Sequence, residues 1–474
     1  MPLNFTNWLI ALAALGLSLG ALLQLIAKAI YNLYFHPLAH IPGPFWARAS
    51  GIPSWLHAIR GTRHIWLWQQ FQIYGDRIRP NPNTVLFCDP EAYADIYGMK
   101  SNVRRSHFYT ALKRNSRENT TLNTIDVAEH AGRRKLLNLC FTEKSLHTLV
   151  FDIMGDLCFG RSFDIKEPGE NPLKAVPHFI AEYMKFYYPM CRSPFLNLLV
   201  WLKPRGLNRL FELIAPPNVR HYNDFVHSSV TSRIALQEKQ ASLPEHERRQ
   251  DMFYFLANAR DPDTGLPVYQ EDDLRAESSL LIIAGFDTTA VSLSGIFFYL
   301  TGDPRRLQKL VDEIRTTFAS TDEIVHGPKL LGCEYLRAFI DEGMRLTPSG
   351  PCELPREVLR GGILIKGEYY PEGTVVATVP WVSSRNSNVF GDAEVFRPER
   401  WIVDESAGVT KETIMITVAR TLHRLDVRRA PGSTFGGGSP KLGWGASDPG
   451  QFQLVDAYIS LRKGPEVQFR KRVV

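Results

Sequence analysis

No cysteine follows Cys352 in this chain of 474 residues. The six cysteines it does contain, Cys88, Cys140, Cys158, Cys191, Cys333 and Cys352, include no C-x-x-C pair and no tight cluster with histidine. That excludes a disulfide scaffold and a structural zinc site, and no other metal site is expected from residue spacing. Each cysteine reads as a small, buried apolar residue of a reducing compartment. The imbalance between charges is small as well, with 55 Lys and Arg against 49 Asp and Glu, a net charge of +6. Basic groups such as Arg104-Arg105 and Arg133-Arg134-Lys135 lack interleaved aromatics, so they read as solvated surface and not as a nucleic-acid face. Internal repeats and low-complexity tracts are missing. A content of 44% hydrophobic and 22% charged residues excludes disorder. The length fits about three domains or one large one.

Charge is absent from the amino terminus as well: no charged side chain precedes Lys28. Residues 8–27 are apolar except for Ser18 and Gln24, about the 20 residues that cross a bilayer as a helix. A cleavable signal peptide needs a basic stretch before the apolar run, so this segment reads as an uncleaved anchor. Lys28, His36 and Arg48 on its downstream side place the body of the protein in the cytosol. The sequon at Asn4 then faces the lumen and the one at Asn119 does not. Pro37, Pro42 and Pro44, with Gly43 between the last two, forbid a regular helix and predict an extended, stiff connector.

Residues 50–270 are mostly helical in pattern, and 85–88 read as a strand running into a helix start at Asp89-Pro90. Residues 277–300 are too apolar all round for a surface helix, and Asp303-Pro304 supplies an N-cap and first-turn proline for the next one. A buried helix gains nothing in stability from Gly285, Asp287 and Thr288 at its centre, because glycine costs about 1 kcal/mol there and an unpaired carboxylate costs more. Gly285 would let a flat ligand approach the backbone, while Asp287 and Thr288 offer an acid and a hydroxyl able to relay protons. A satisfied polar kink is the structural alternative. Glu342 and Arg345 stand three apart on one helix face, placed for a bidentate pair. Residues 362–365 and 373–378 read as strands.

Taken in order, the anchor and Pro-Gly-Pro connector, Ala284-Gly285-Phe286-Asp287-Thr288-Thr289, Glu342-x-x-Arg345 and Phe396-x-Pro-Glu-Arg400 resemble a cytochrome P-450 monooxygenase of the membrane-bound, fungal type. The resemblance implies a mainly α fold with a small β-sheet region behind one transmembrane helix. It divides the chain into an anchor at 1–30, a proline-rich hinge at 31–48 and a haem-monooxygenase-like domain at 49–474. It implies haem as cofactor, with Asp287 and Thr288 on its oxygen-activating side and Gly285 against its face. His130 and Arg134 match the family's propionate-binding segment, with His130 where tryptophan is common, and Arg356 matches the basic residue that reaches the other propionate. Glu342, Arg345 and Arg400 match the buried triad that locks the fold. The implied activity is NADPH- and O2-dependent oxidation of a small apolar metabolite, in secondary metabolism, at the endoplasmic reticulum membrane. The implied partner is NADPH-cytochrome P-450 reductase, with no nucleic acid.

One part of the pattern is missing. Haem iron in this family is held by a cysteine thiolate, carried in F-x-x-G-x-R-x-C-x-G. The nearest counterpart, Phe435 to Leu442, has Pro440 in place of the arginine and Leu442 in place of the cysteine, and reads as a glycine-rich loop. Residues 399–406 and 418–426 resemble the flanks of the lost ligand loop, which places an internal deletion at 408–416. A second is read near 148. His423 on the surviving helix fragment reads as a packing or surface residue and not as an iron ligand. The alternative implied for this polypeptide is therefore a truncated or pseudoenzyme form without haem-thiolate activity.

Overall fold

In the computed structural model the described residues are 5–113, 119–138, 155–156, 158–165, 167, 169–260, 264–402 and 412–472. The interruption read near 148 and positions 408–411 of the second lie outside them, as does Asn4. Residues 412–416 begin the helix Glu412–Arg424.

The fold is mainly helical with small sheets, preceded by an apolar helix. That first helix, Phe5–Ile30, ends on Lys28 in its last turn. Its described stretch Leu12–Phe35 is long and apolar enough to cross a membrane, and it is exposed except at its end, where Asn32 and Leu33 are buried. The connector departs from the expected rod. Residues 37–40 form turns, and Leu38 and Ile41 are buried beside Val85, Phe87 and Val376. Arg79 N–H donates to the Pro42 carbonyl at 2.8 Å, and Asn32 Nδ2 donates to the Ala49 carbonyl at 2.9 Å. The prolines do forbid helix, but two apolar side chains between them gain more from the core than from an extended path in water. Stiffness comes from docking.

Five strands form the main sheet: β1 (Arg77–Asn81), β2 (Thr84–Phe87), β3 (Val103–Arg105), β4 (Arg356–Val358) and β7 (Val375–Thr378), in the order β1-β2-β7-β4-β3. Only β2 and β7 are parallel, with Thr84 opposite Val375. Among the described residues three two-stranded ribbons complete the β structure: β5 (Ile363–Ile365) with β6 (Glu368–Tyr370), β8 (Leu425–Arg429) with β11 (Val467–Lys471), and β9 (Leu454–Ala457) with β10 (Ile459–Arg462). Asp89 caps the helix Pro90–Tyr97 by accepting from Glu91 N–H, and Asp303 caps Pro304–Thr317 the same way.

The long central helix runs from Glu271 to Ile282, passes through a π segment at Ile283–Asp287 and continues from Thr288 to Leu300. It is also apolar enough to cross a membrane, but it is packed into the domain. Its second half lies in the largest core, where Val291, Ile296 and Phe298 meet Leu336, Phe339 and Ile340 of the helix Glu334–Leu346 and Met415, Val418 and Leu422 of Glu412–Arg424. Gly295 is required there, because a Cβ would sit 2.3 Å from Thr347 Oγ1. Its first half meets a second core, where Leu281 and Ile282 pack with Ile180, Tyr222 and Val226.

Candidate functional site

The break in the central helix opens beside an apolar cavity of about 250 Å³ lined by Leu122, Met184, Val226, Ala284, Thr288 and Ile459, among others. Thr288 Oγ1 donates to the Ala284 carbonyl one turn back. Gly285 is not part of the lining, which Ala284 and Thr288 supply on either side of it. Asp287 turns the other way: its Oδ1 accepts from Arg462 Nη1 at 2.8 Å, and Arg462 Nε donates to Ser294 Oγ at 3.0 Å. Its Oδ2 is buried without a partner. Burial pushes the Asp287 carboxyl above its ordinary pKa, against the opposing pull of Arg462. The polar centre of the helix is thus both a kink and a paired charge.

Residues 119–123, which give the cavity Thr120, Leu122 and Asn123, are held to the helix by buried carboxylates. Glu277 Oε1 accepts from Thr121 N–H at 2.5 Å and from Thr121 Oγ1 at 2.7 Å, and Asp273 accepts from Asn119 N–H at 3.0 Å. Arg133 bridges the two segments, donating to Asp273 at 3.3 Å and to the Asn119 carbonyl at 3.2 Å. The second Glu277 oxygen is buried and unpartnered, and burial pushes its pKa up to about 7. A folded pKa above the unfolded value means the folded state holds the proton more tightly. This group therefore destabilises the fold progressively as pH rises from about 4.5 to about 7. Glu277→Gln is expected to flatten that part of the profile, by up to about 3 kcal/mol at neutral pH. Thermal unfolding of both proteins across that range checks it, and parallel profiles would sink the assignment.

On another side of the site, His130 lies in the field of three arginines, of which Arg134 is exposed to solvent. Burial and then Arg105, Arg134 and Arg356 push the His130 pKa down to about 4. His130 Nε2 is buried without a partner. Arg105 lies over the Tyr109 ring at 5.4 Å and donates to the Thr121 and Leu122 carbonyls. Arg356 lies over the Tyr97 ring at 5.2 Å, with Nη1 3.5 Å from Tyr109 Oη. Tyr458, at the tip of the β9–β10 ribbon, meets the Tyr109 ring edge-on with centroids 6.4 Å apart and links this cluster to the cavity wall. Among the described residues none of the three arginines forms an ion pair with a carboxylate. Such a cluster fits an anionic edge brought by a ligand. Arg134, Arg356 and His130 were legible in the sequence. Arg105 was not, because Arg104-Arg105 reads as an ordinary surface pair.

Among the described residues no matching group exists for an iron. The described cysteines Cys88, Cys158, Cys191, Cys333 and Cys352 are all buried, and none of them is in a disulfide. Cys352 Sγ sits 2.9 Å from Asp456 Oδ2, and burial first, then that carboxylate, pushes its thiol well above the ordinary range. Cys88 and Cys191 are pushed up to about 12, mainly by burial. These are thiols, whereas a metal needs the thiolate. His423 has both ring nitrogens engaged, with Thr321 Oγ1 at 3.1 Å and the Phe318 carbonyl at 3.2 Å, and packs as a helix-surface residue. Among the described residues no group of three His, Cys, Asp or Glu side chains could hold a metal. The cationic cluster fits the acid edge of a haem. The described residues do not fit a thiolate bond to its iron.

Behind the site, Arg345 Nε and Nη2 each lie 2.8 Å from a Glu342 oxygen. Glu342 also accepts from Arg400 Nε at 3.1 Å, Arg397 N–H at 2.7 Å and Trp401 Nε1 at 2.9 Å. A second buried network was invisible in the sequence. Arg63 donates to both Glu353 oxygens, at 2.5 and 2.8 Å, and Arg192 donates to one of them at 2.5 Å. Its three members are hundreds of residues apart or nearly so, and no spacing rule joins them.

A cytochrome P450 family model matches residues 90–415. The chain is 28% identical to "Cytochrome P450 monooxygenase poxM" of Penicillium oxalicum, over 95% of this chain and 93% of that protein. It is 28% identical to "Cytochrome P450 monooxygenase fscF" of Fusarium equiseti, over 100% of this chain and 98% of that one. This second alignment runs over 541 positions, longer than the chain itself, so the relative carries residues with no counterpart here. The fold is similar to a crystal structure of a cytochrome P450, CYP102L1, with a TM-score of 0.63, 14% identity and coverage of 86% of this chain and 94% of that one.

Proposed function

This chain belongs to the cytochrome P450 family, whose fold implies a haem cofactor, and from that membership we propose that its lineage oxidises a small apolar metabolite in secondary metabolism. The observation that carries this reading is the cavity of about 250 Å³, apolar in its lining and bordered by Thr288 at the helix break. A pocket of that kind takes an apolar molecule and keeps water from it. Thr288, Asp287 and the tie from Glu277 are read as the groups that hold or move protons and shape the pocket. Arg134, Arg356, His130 and Gly285 are read as cofactor contacts, and Glu342, Arg345 and Arg400 as the lock behind them. Electrons would come from NADPH-cytochrome P-450 reductase. The proposed arrangement is an anchor at 1–30 in the endoplasmic reticulum membrane, a docked hinge at 31–48 and a cytosolic domain at 49–474.

A second reading rests on one specific observation, the lack of any cysteine after Cys352. In it, this polypeptide is a shortened form that lacks the haem-thiolate activity of its relatives. The alignment longer than the chain supports internal loss. For the chain as it stands this second reading is preferred, and no chemical step is assigned to it. A carbon monoxide difference spectrum of the dithionite-reduced full chain decides between the two. A thiolate-type Soret band would overturn the second reading. No band, or a histidine-type band, is the result expected.

A further inference from the structure

The cavity at the helix break has a polar corner that the packing does not use up. Thr120 and Asn123 stand in its wall, at 8% and 4% exposure. They hold each other reciprocally: Asn123 Oδ1 accepts from the Thr120 N–H at 2.8 Å, and Thr120 Oγ1 accepts from the Asn123 N–H at 3.1 Å. This is the pattern of a capping box. A backbone N–H needs an acceptor, so the first bond fixes which end of the carboxamide is oxygen. Two bonds into the Thr120 carbonyl close the turn, from the Thr124 N–H at 3.1 Å and from Thr124 Oγ1 at 2.8 Å. Glu277 and Asp273 tie the same segment to the central helix, so the carboxamide is held in place before any ligand arrives.

The box accounts for the oxygen of Asn123 and leaves its nitrogen over. Among the described residues Nδ2 donates to nothing, although the side chain is more than nine-tenths buried. Three other polar groups of the wall are engaged: Thr288 Oγ1 donates to the Ala284 carbonyl, Ser279 Oγ is bonded to Tyr222 Oη at 2.9 Å, and Arg275 is paired with Glu271 and Asp272. A fixed amide donor in an otherwise apolar cavity is the kind of group that sets the orientation of a ligand.

We propose that Asn123 Nδ2 binds a neutral carbonyl, so that the cavity takes an apolar ketone, ester or lactone with its body against Leu122, Met184, Val226, Ile283 and Ile459. A ligand of the same shape without an acceptor leaves the amide unpaired, which costs more than a missing contact. A carboxylate is disfavoured: among the described residues Arg275 is the one guanidinium in the wall, and it is already matched, so the charge would be buried without a partner. The inference rests on the reading that this cavity binds an apolar molecule, and it requires neither iron nor turnover.

Isothermal titration of the full chain in detergent with 2-acetylnaphthalene and 2-isopropenylnaphthalene tests it, since the two share a shape and differ in C=O against C=CH2. The quantity read is the ratio of the two affinities, compared between wild type and variants so that uptake of the probes by detergent cancels. That ratio should favour the ketone about three- to tenfold more in wild type than in Asn123→Leu, the worth of one net hydrogen bond. The alkene should bind the leucine variant as it binds wild type, whereas a purely structural role for Asn123 would weaken both probes. Asn123→Ser, which can still accept from the Thr120 N–H but carries no amide, should lose the preference too and guards against a leucine variant that fails to fold. An unchanged ratio in both variants would overturn the proposal and leave the reading of the cavity standing. Binding of neither probe to wild type would overturn that reading and the proposal with it.

Discussion

Replacing Glu342 by alanine is expected to destabilise the domain by about 3–5 kcal/mol, the range for stripping one partner from a buried ion pair. Glu342 is fully buried and is the shared acceptor for the Arg345, Arg400 and Trp401 side chains and for the Arg397 N–H. Removing the carboxylate leaves Arg345, itself 6% exposed, as a charge out of water with only the Ser384, Ala393 and Val395 carbonyls for partners. The damage extends further, because Arg400 ties the same carboxylate to the 390–395 loop through the Phe390 carbonyl and Asp392. Urea unfolding of the full chain in detergent, followed by tryptophan fluorescence, measures the loss. Glu342→Gln keeps the shape and part of the hydrogen bonding but not the charge, and should fall between wild type and alanine. A loss below about 1 kcal/mol for alanine, the worth of an exposed pair, would refute the view that this network locks the fold.

Glu353→Ala should cost as much, through a different part of the structure. Two guanidiniums, those of Arg63 and Arg192, depend on this one carboxylate, and Arg63 and Glu353 are both at 0% exposure. Burial works against the charged acid, but the two arginines win and hold its pKa at about 2. A folded pKa below the unfolded one contributes stability above about 4.5 that is lost as pH falls toward 2. Wild type should therefore lose stability on acidification in that window more steeply than Glu353→Ala does. Replacing all three by apolar residues, Arg63→Met, Arg192→Met and Glu353→Leu, should restore much of the loss, since the penalty comes from unmatched charge more than from the missing bonds. A triple variant less stable than Glu353→Ala alone would show that the network contributes attraction beyond mutual neutralisation.

These two networks mark how far the sequence could be read. Glu342 and Arg345 are three residues apart on one helix, so helical geometry alone predicts their pairing. The glycine, aspartate and threonine at the centre of an apolar helix stood out because an unpaired carboxylate is costly to bury there, and Asp287 proves to be paired with Arg462. The family resemblance rested on such local patterns in order, and the family match and the fold agree with it. What stayed hidden was everything that depends on distant segments meeting. Arg462, which neutralises Asp287, lies 175 positions away, and Glu353 lies 290 positions from Arg63. Leu38 and Ile41 were hidden for a related reason. Among prolines they read as linker, and only the apolar face of β2 and β7 makes them core.

The π segment at Ile283–Asp287 has a consequence for how one helix can serve two masters. A π turn carries one residue more than the α-helical repeat, which advances every later side chain by about 100° around the axis. Before the break, Glu277 and Leu281 face the 119–123 segment and the Tyr222 core. After it, Val291 and Ile296 face the Phe339 core. An uninterrupted α-helix of the same sequence could keep only one of these two facings in phase. The extra residue acts as a phase shifter between two separately packed halves of the domain, and the cavity opens where the phase changes.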